Sequence, residues 1–272
     1  MGLFSTVRDA LVEPRLRDID IDGDERISIH QEILRERPMV RGVFRDFHLT
    51  LRQLDERWLS GSGKRIELGS GTGSLREHYP DVLLTDVVPA DHLDMVLDGQ
   101  RMDLADSSVR AFYAIHVFHH IPEVHLFFRE LERVLVPGGG CVLIEPYYGP
   151  GASQFFRRLF STEGFDKSQK DWGHLDDGED RAVMSGANQA LSYVVFHRDR
   201  AQLKALHPSL EVVHQERIHN SLRYLLSGGL NFRQLAPTAT APLIRAVEWL
   251  FSPIGHLWVL HYAIVIRKAG AR

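Results

Sequence analysis

Residues Lys64 to Ser74 read KRIELGSGTGS. A short apolar strand through Ile66 carries Glu67, and the chain then turns through Gly69, Gly71 and Gly73. Glycine recurs where backbone takes positive φ or passes close to a ligand, because no Cβ obstructs either. A strand running into a glycine-rich turn and then a helix opens the nucleotide-type site of an open α/β sheet. The spacing narrows this further. A dinucleotide turn wants G-x-G-x-x-G, whereas position 74 here is Ser and the pattern is E-x-G-x-G-x-G. No Lys-Ser/Thr pair follows, as a P-loop would require. The spacing therefore disfavours a nicotinamide oxidoreductase.

Downstream, the pattern alternates. A short helix is predicted over Ser74 to Tyr79, then a buried strand Val82 to Thr85 ending at Asp86, and a further strand Asp94 to Leu97 ending at Asp98. Residues 109–118, VRAFYAIHVF, read as the next strand, followed by His119-His120-Ile121-Pro122. Pro122 suits a first helical turn. The helix to Leu135 carries Phe127, Phe128, Leu131, Val134 and Leu135 on one side, and Pro137 with Gly138 to Gly140 stops it. Cys141 to Ile144 form another strand, leading into Glu145-Pro146-Tyr147-Tyr148. Strands alternating with helices imply a mainly parallel sheet covered on both faces. Ligands of such sheets bind outside the carboxyl ends of the strands, where Asp86 and Asp98 fall. An acid after the second strand suits the two hydroxyls of a ribose; one after the third suits an adenine amino group.

The flanks are less regular. DIDIDGD at 18–24 invites a calcium loop, but neither frame places both a glycine at position six and an acid at twelve, so it reads as a solvated acidic turn. Ser28 and Gln31 form a plausible capping box for a short helix ending near Pro38. From Gly42 to Leu59, the residues Val43, Phe44, Phe47, Leu51, Leu54 and Trp58 mark one face of an amphipathic helix, which ends at Ser60-Gly61-Ser62-Gly63. Residues 1–60 are thus expected to be an N-terminal helical extension, and 61–272 the main domain with insertions at about 149–206 and 220–256. The first insertion holds FFRRLF and the polar run KSQKDWGHLDDGED, and reads as a cap. Glu211 to Ile218 and Trp258 to Ile266 are the late strands.

The chain has 272 residues, 44% hydrophobic and 25% charged, with a net charge of −4, so no global basic field attracts nucleic acid. One cysteine, Cys141, rules out an internal disulfide and fits a reducing, cytoplasmic setting as a buried structural thiol. The first residues, MGLFSTVRDALVE, lack a signal peptide's basic flank. Their Gly2 and Thr6 match the short myristoylation pattern, though Leu3, Phe4, Val7 and Leu11 read more plainly as an amphipathic helix. From Trp249 to Ile266 no Asp, Glu, Lys or Arg occurs, but Pro253, Gly255, His256 and His261 interrupt the run, favouring a helix and a buried strand over a membrane span.

Taken in order, the motifs resemble those of class I S-adenosylmethionine-dependent methyltransferases. IELGSGTGS is similar to the family's first motif, TD at 85–86 to its second-strand acid, and DGQRMDLADSSV at 98–109 to its D-A-x-x-L-P-F-x-D-x-S-F segment. HVFHHI at 116–121 resembles its L-H-H pattern, and RVLVPGGGCVLIE at 133–145 resembles R-V-L-K-P-G-G with the fifth strand. The resemblance spans about residues 62–148. It implies a Rossmann-like, seven-stranded, mainly parallel sheet with helices on both faces and a seventh, antiparallel strand, for which Trp258 to Ile266 is the candidate. It implies S-adenosyl-L-methionine as cofactor. Gly69, Ser70, Gly71 and Gly73 would line its methionine part, Glu67 would brace the loop or meet the ammonium group, and Asp86 would hold the ribose. Asp98, Gly99 and Met102 would meet the adenine, and His116 would lie beside the methionine. The helix after the glycines is short for the family, and Asp103 stands where it often has Pro.

Methyl transfer from a sulfonium is an in-line displacement that chiefly needs positioning. If the nucleophile is a hydroxyl, a histidine suits removal of its proton. His119 and His120, just past the fourth strand, are the candidate general bases. Glu145, Tyr147 and Tyr148 should border the acceptor pocket, with Phe155, Phe156 or Trp172 closing over it. Three histidines within five residues, at 116, 119 and 120, raise a metal site, but no cysteine or spaced acid completes a set and no metal is expected. The sequence thus points to O-methylation of a small-molecule or glycan-type acceptor. The alternatives are a non-catalytic cofactor-binding protein and a methyltransferase acting on a lipid-linked sugar, with peripheral membrane contact through FFRRLF and the apolar helix near 243–251.

Overall fold

The computed structural model describes residues 8–20, 25–159, 163–172 and 187–270. Leu3, Phe4 and Val7 of the expected N-terminal helix, residues 21–24 of the acidic turn, Phe160 of FFRRLF and residues 173–180 of the polar run lie outside them.

Helix α1 (Glu25–Glu36) begins before Ser28, so Ser28 lies inside it rather than at a cap. Helix α2 (Pro38–Trp58) starts with Pro at its first turn, where a missing N–H costs nothing, and buries Val43, Phe47, Leu51 and Leu54 at helical spacing. Near its end Asp55, fully buried, accepts from Tyr79 Oη at 2.7 Å, Tyr113 Oη at 2.9 Å and Arg110 Nη2 at 2.9 Å. A buried carboxylate persists only when so partnered. Here it ties α2 to the sheet.

The sheet has seven strands: β1 (Lys64–Glu67), β2 (Val82–Asp86), β3 (Met95–Val96), β4 (Val109–Ile115), β5 (Leu135–Pro146), β6 (Leu210–Ile218) and β7 (His261–Lys268). Their order is β3-β2-β1-β4-β5-β7-β6. The first five are mutually parallel, and β7 runs antiparallel to both β5 and β6. This is the expected Rossmann-like architecture, with the seventh strand antiparallel and set three residues later than the sequence indicates. The central strands β4 and β5 are almost wholly buried, as their β-branched and aromatic composition requires.

Two local outcomes differ from the sequence expectation. The stretch after Gly73 is a single 3-10 turn, Ser74–Glu77, because Leu75 and Tyr79 must both reach the core before β2 begins. Pro137 and Gly138 to Gly140 do not separate α3 (Val124–Val134) from β5 by a loop. The chain enters β5 at Leu135, and the register shift between the Val109–Leu135 and Ala111–Gly140 pairs absorbs the Pro-Gly stretch as an irregularity in the strand.

Beyond β5 come α4 (Pro150–Arg158), a helical stretch Leu191–Tyr193 continuing as a π-type turn Val194–Arg198, α5 (Arg200–Leu206), α6 (Ser221–Ser227) and α7 (Ala241–Leu250). Arg223 of α6 pairs with Glu248 of α7 at 2.6 Å and with Asp46 of α2 at 2.7 Å, locking these helices together. Among the described residues, no helix is long and apolar enough to cross a membrane.

Candidate active site

The glycine loop leaves β1 with Gly69, Gly71 and Gly73 at φ of 61°, 47° and 72°. A Cβ at Gly69 would lie 2.5 Å from Val117 Cγ2, so glycine is needed there for both conformation and space. At Gly71 the nearest atom to such a Cβ is 4.0 Å away, so this side of the loop is open. Below the loop, the Ser70 amide donates to the Thr85 carbonyl at 2.9 Å, Thr85 Oγ1 donates to the Glu67 carbonyl at 2.7 Å, and the Thr85 amide donates to Ser70 Oγ at 2.9 Å. These bonds fix the loop against the end of β2.

Asp86 accepts from the Gly71 amide at 3.1 Å and the Val88 amide at 3.3 Å, so the second-strand acid braces the glycine loop directly. Glu67 is buried beneath it. Burial raises its pKa to about 8, with Asp86 adding to the rise and Ser70 opposing it. Glu67 Oε2 has no hydrogen-bond partner. A buried oxygen left unpaired in this way is costly unless something arrives to meet it.

Asp98 accepts at Oδ1 from the Gln100 amide at 2.9 Å, forming a turn beyond β3, while Gln100 Oε1 accepts from the Glu123 amide at 2.8 Å. Gly99 lies against Phe127, which a Cβ would approach to 3.3 Å. Met102 is buried, its amide donating to Glu130 Oε2 at 2.8 Å, and Arg133 clamps the Met102 and Leu104 carbonyls. The glycine loop, Asp86 and the Asp98 turn thus stand at the carboxyl ends of adjacent strands, as the sequence anticipates for one elongated ligand.

At the end of β4 the chain bends through His116, a non-glycine residue at φ 58°. Such a conformation is held only by its surroundings. The His116 amide donates to Ile144 at 2.8 Å, and its ring stacks on His261 with centroids 4.7 Å apart. Burial, outweighing Glu145, lowers its pKa to about 4, and its Nε2 has no partner. His261 is likewise buried with both ring nitrogens unpartnered, flanked by Phe47 and Tyr224.

His119 follows, buried, with Nδ1 2.6 Å from Glu145 Oε2 and Nε2 3.3 Å from Glu163 Oε2. Burial alone would lower its pKa, but the two carboxylates outweigh it and hold it at about 10. Glu145 also accepts from the Val117 and Phe118 amides at 3.1 and 2.9 Å, so it is bound to the backbone of the bend that it serves. The His120 ring lies 4.3 Å from that of His119. Tyr147 packs on Tyr148 at 4.6 Å, and Tyr148 Oη lies 3.3 Å from His197 Nδ1. Glu145 therefore joins the histidine pair, whereas Tyr148 turns toward Tyr193, His197 and the Lys167 ammonium. Of the expected closing aromatics, Phe156 packs on Phe165, and Trp172 packs on His125 and Phe128 instead of the histidine pair.

Several residues here carry no signal in the sequence. Glu163 lies in the first insertion, and His261 begins the last strand; neither belongs to a motif. His92, whose Nε2 is 2.8 Å from the Gly71 carbonyl, comes from the segment between β2 and β3. A cleft of about 570 Å³ opens beside the loop, between Thr72, Gly73 and Ser74 and the α1–α2 residues Gln31, Arg45 and His48.

Residues 66–143 match a family described as a methyltransferase domain. Over this segment the chain is similar to a methyltransferase domain. No curated protein matches it. Among solved structures, similarity extends to geranyl diphosphate C-methyltransferase from Streptomyces coelicolor A3(2), at 13% identity over 79% of this chain and 76% of that one, with a TM-score of 0.42. The YcgJ protein from Bacillus subtilis aligns at 12% identity over 83% of this chain and 100% of that one, with a TM-score of 0.45. The [4+2]-cyclase SpnF aligns at 14% identity over 83% and 81%, with a TM-score of 0.41. The matched segment runs from β1 into β5 and so contains the glycine loop, Asp86, Asp98 and the histidine bend.

Proposed function

We propose that the protein transfers a methyl group from S-adenosyl-L-methionine to an oxygen of a small-molecule or glycan-type acceptor. The observation that carries this reading is the loop itself: open over Gly71, with the unpartnered Glu67 Oε2 buried beside it, and leading at the next strand end to a polar histidine bend. The residues present fit the donor. Gly69, Ser70, Gly71 and Gly73 would line its methionine part, with Glu67 toward the ammonium. Asp86 would exchange its bond from Gly71 for the ribose hydroxyls. Asp98, Gly99 and Met102 would border the adenine, and His116 the methionine side. When bound, the donor supplies a methyl carbon already activated by the adjoining sulfonium.

The protein's own contribution is then to orient and to handle a proton. Glu145 fixes the His119 ring by its Nδ1 and holds it charged, and His120 beside it is the group that takes the acceptor hydroxyl's proton. Tyr147 and Tyr148 border the acceptor. A division into an extension at 1–60 and a main domain at 61–272, with insertions at about 149–206 and 220–256, belongs to the same reading, as does a cytoplasmic setting.

Calorimetry with S-adenosylmethionine tests the donor, and Asp86→Ala should weaken its binding at least tenfold. A mass-shift screen of candidate hydroxyl compounds with labelled donor tests the transfer. His120→Ala should lower turnover while leaving donor affinity near that of the wild type. Donor binding with no methylated product from any acceptor would favour the non-catalytic binding reading; no donor binding would overturn both. A lipid-linked sugar is a second reading of the acceptor, favoured by the exposed apolar residues of α7 and the turn after it.

A further inference from the structure

We infer that His119, His120 and Glu163 form a binding site for a divalent transition-metal cation at the acceptor end of the domain. One potential ligand atom from each of these residues lies within 4.8 Å of the other two. Two imidazoles and a carboxylate are the donor set of catalytic zinc and related sites, which keep a position open for substrate oxygen. With bonds of about 2.0–2.1 Å, tetrahedral ligands stand about 3.3 Å apart. The His119 Nε2 to Glu163 Oε2 separation is 3.3 Å, and the remaining pairs need only a modest closure.

Two independent features support a cation here. The first is the support behind His119. Its Nδ1 is bonded at 2.6 Å to Glu145, whose side chain is fully buried and also accepts two backbone amides. That bond fixes the proton on Nδ1 and turns Nε2 toward Glu163, the arrangement by which a carboxylate orients a metal-binding histidine. The second is charge. Glu145 and Glu163 place two carboxylates on one buried imidazole, and no Lys or Arg pairs with either among the described residues. A divalent cation held by the imidazoles meets both carboxylates at once, Glu163 as ligand and Glu145 behind His119. Burial of unmatched charge is strongly unfavourable.

The sequence argues against a metal because no acid accompanies the histidines. The fold supplies one from the first insertion. Imidazole ligands favour Zn²⁺ or Ni²⁺ over Mg²⁺ or Ca²⁺, which prefer oxygen-only shells. The inference rests on the proposed methyl transfer for its chemical consequence. With the cation in place the two histidines act as its ligands instead of as the base, and an acceptor hydroxyl at the open position, acidified by the cation, loses its proton to bulk water. The oxygen then forms its bond to the methyl carbon as the carbon–sulfur bond breaks, leaving that electron pair on sulfur as a neutral thioether.

Chelator-stripped full-length protein should bind about one equivalent of Zn²⁺ or Ni²⁺ in equilibrium dialysis, and Mg²⁺ much more weakly. Glu163→Gln should weaken binding at least tenfold, and Glu145→Gln by about 10- to 100-fold through misorientation of His119. Circular dichroism confirms that each variant is folded, and Glu163→Gln, on a partly exposed side chain, keeps the test available if a His119 variant does not fold. Absence of saturable binding to the wild type, or equal binding by Glu163→Gln, overturns the metal site. Donor calorimetry on the same samples separates the two levels: metal binding lost with donor binding retained refutes this inference alone, whereas donor binding lost in the wild type refutes the methyltransferase reading.

Discussion

At the scale of single residues, Glu67 joins the loop's stability to its ligand. Its pKa of about 8 in the folded protein lies above the ordinary 4.5, chiefly through burial. Folding therefore takes up a proton between those values. The protonated acid's contribution is fully present below about pH 4.5 and is lost as pH rises through 8, at about 1.4 kcal/mol per pH unit. Glu67→Gln removes this loss, so without donor its Tm should equal the wild type's near pH 4.5 and exceed it at pH 8. An ammonium group beside the carboxylate reverses the preference by favouring the charged form. The same variant should then bind the donor more weakly, by about 1.5–3 kcal/mol, in calorimetry at pH 8. A variant that is no more stable at pH 8 would show that Glu67 is charged in the folded protein. The residue's presence was legible, because E-x-G-x-G-x-G places it. Its protonation was not, since that depends on depth of burial beneath a loop whose packing comes from β2.

Among the elements, the glycine loop and α2 carry different kinds of information. Gly69→Ala combines a left-handed backbone with a Cβ 2.5 Å from Val117, on the same bend that carries His116 and His119. This substitution should displace that bend and lower both donor affinity and turnover, with Tm falling by several degrees in a thermal melt. Asp55→Ala leaves Arg110 and the hydroxyls of Tyr79 and Tyr113 without their shared acceptor. Removing one partner of a buried charged network costs about 3–5 kcal/mol, measurable as a lower urea midpoint with an unchanged slope. The helical face of α2 was readable from spacing, and β1, β2, β4 and the late strands from apolar runs between turns. Asp55 was not readable, because it sits at a polar position of that helix and its partners come from β1, from β4 and from Tyr79 before β2. The Pro-Gly run before Cys141 misled for a similar reason. Its local chemistry stops a helix, but pairing with β4 on one side and β7 on the other draws it into a strand.

Across the whole molecule, the site is assembled from a segment that announces itself and segments that do not. The run from β1 to β5 holds the proposed donor residues in sequence order, and its motifs are short because each strand end would supply one contact. Glu163, His261 and Tyr224 converge on the histidine bend from the insertion, the last strand and α6, and no spacing rule links them. The molecule's outer surface raises the remaining question of the acceptor. Trp249 is 77% exposed, and Leu243, Leu250, Phe251, Ile254 and Leu257 are exposed with it along α7 and the 3-10 turn Ser252–Leu257. Scattered exposed apolar residues are ordinary, but a contiguous group of this size marks an interaction surface. The turn packs on α4 so closely that a Cβ at Gly149 or Gly151 would meet the carbonyls of His256 or Leu257 at 2.5 and 2.7 Å. Helix α4 follows directly from Tyr147 and Tyr148 and ends in the exposed Arg157 and Arg158. An apolar face with an exposed tryptophan, packed on the start of a helix that carries exposed Arg157 and Arg158 at its far end, suits the surface of an anionic bilayer, which would bring a lipid-linked acceptor to the tyrosines. The protein should therefore float with vesicles containing phosphatidylglycerol, less so with phosphatidylcholine alone, and its tryptophan emission should shift to the blue. Trp249→Ser with Leu250→Ser should abolish both effects while leaving donor affinity unchanged, since neither residue approaches the glycine loop. Concentration-dependent self-association that these substitutions remove, with no flotation of the wild type, would assign the face to a second copy of the chain and leave the acceptor a free metabolite.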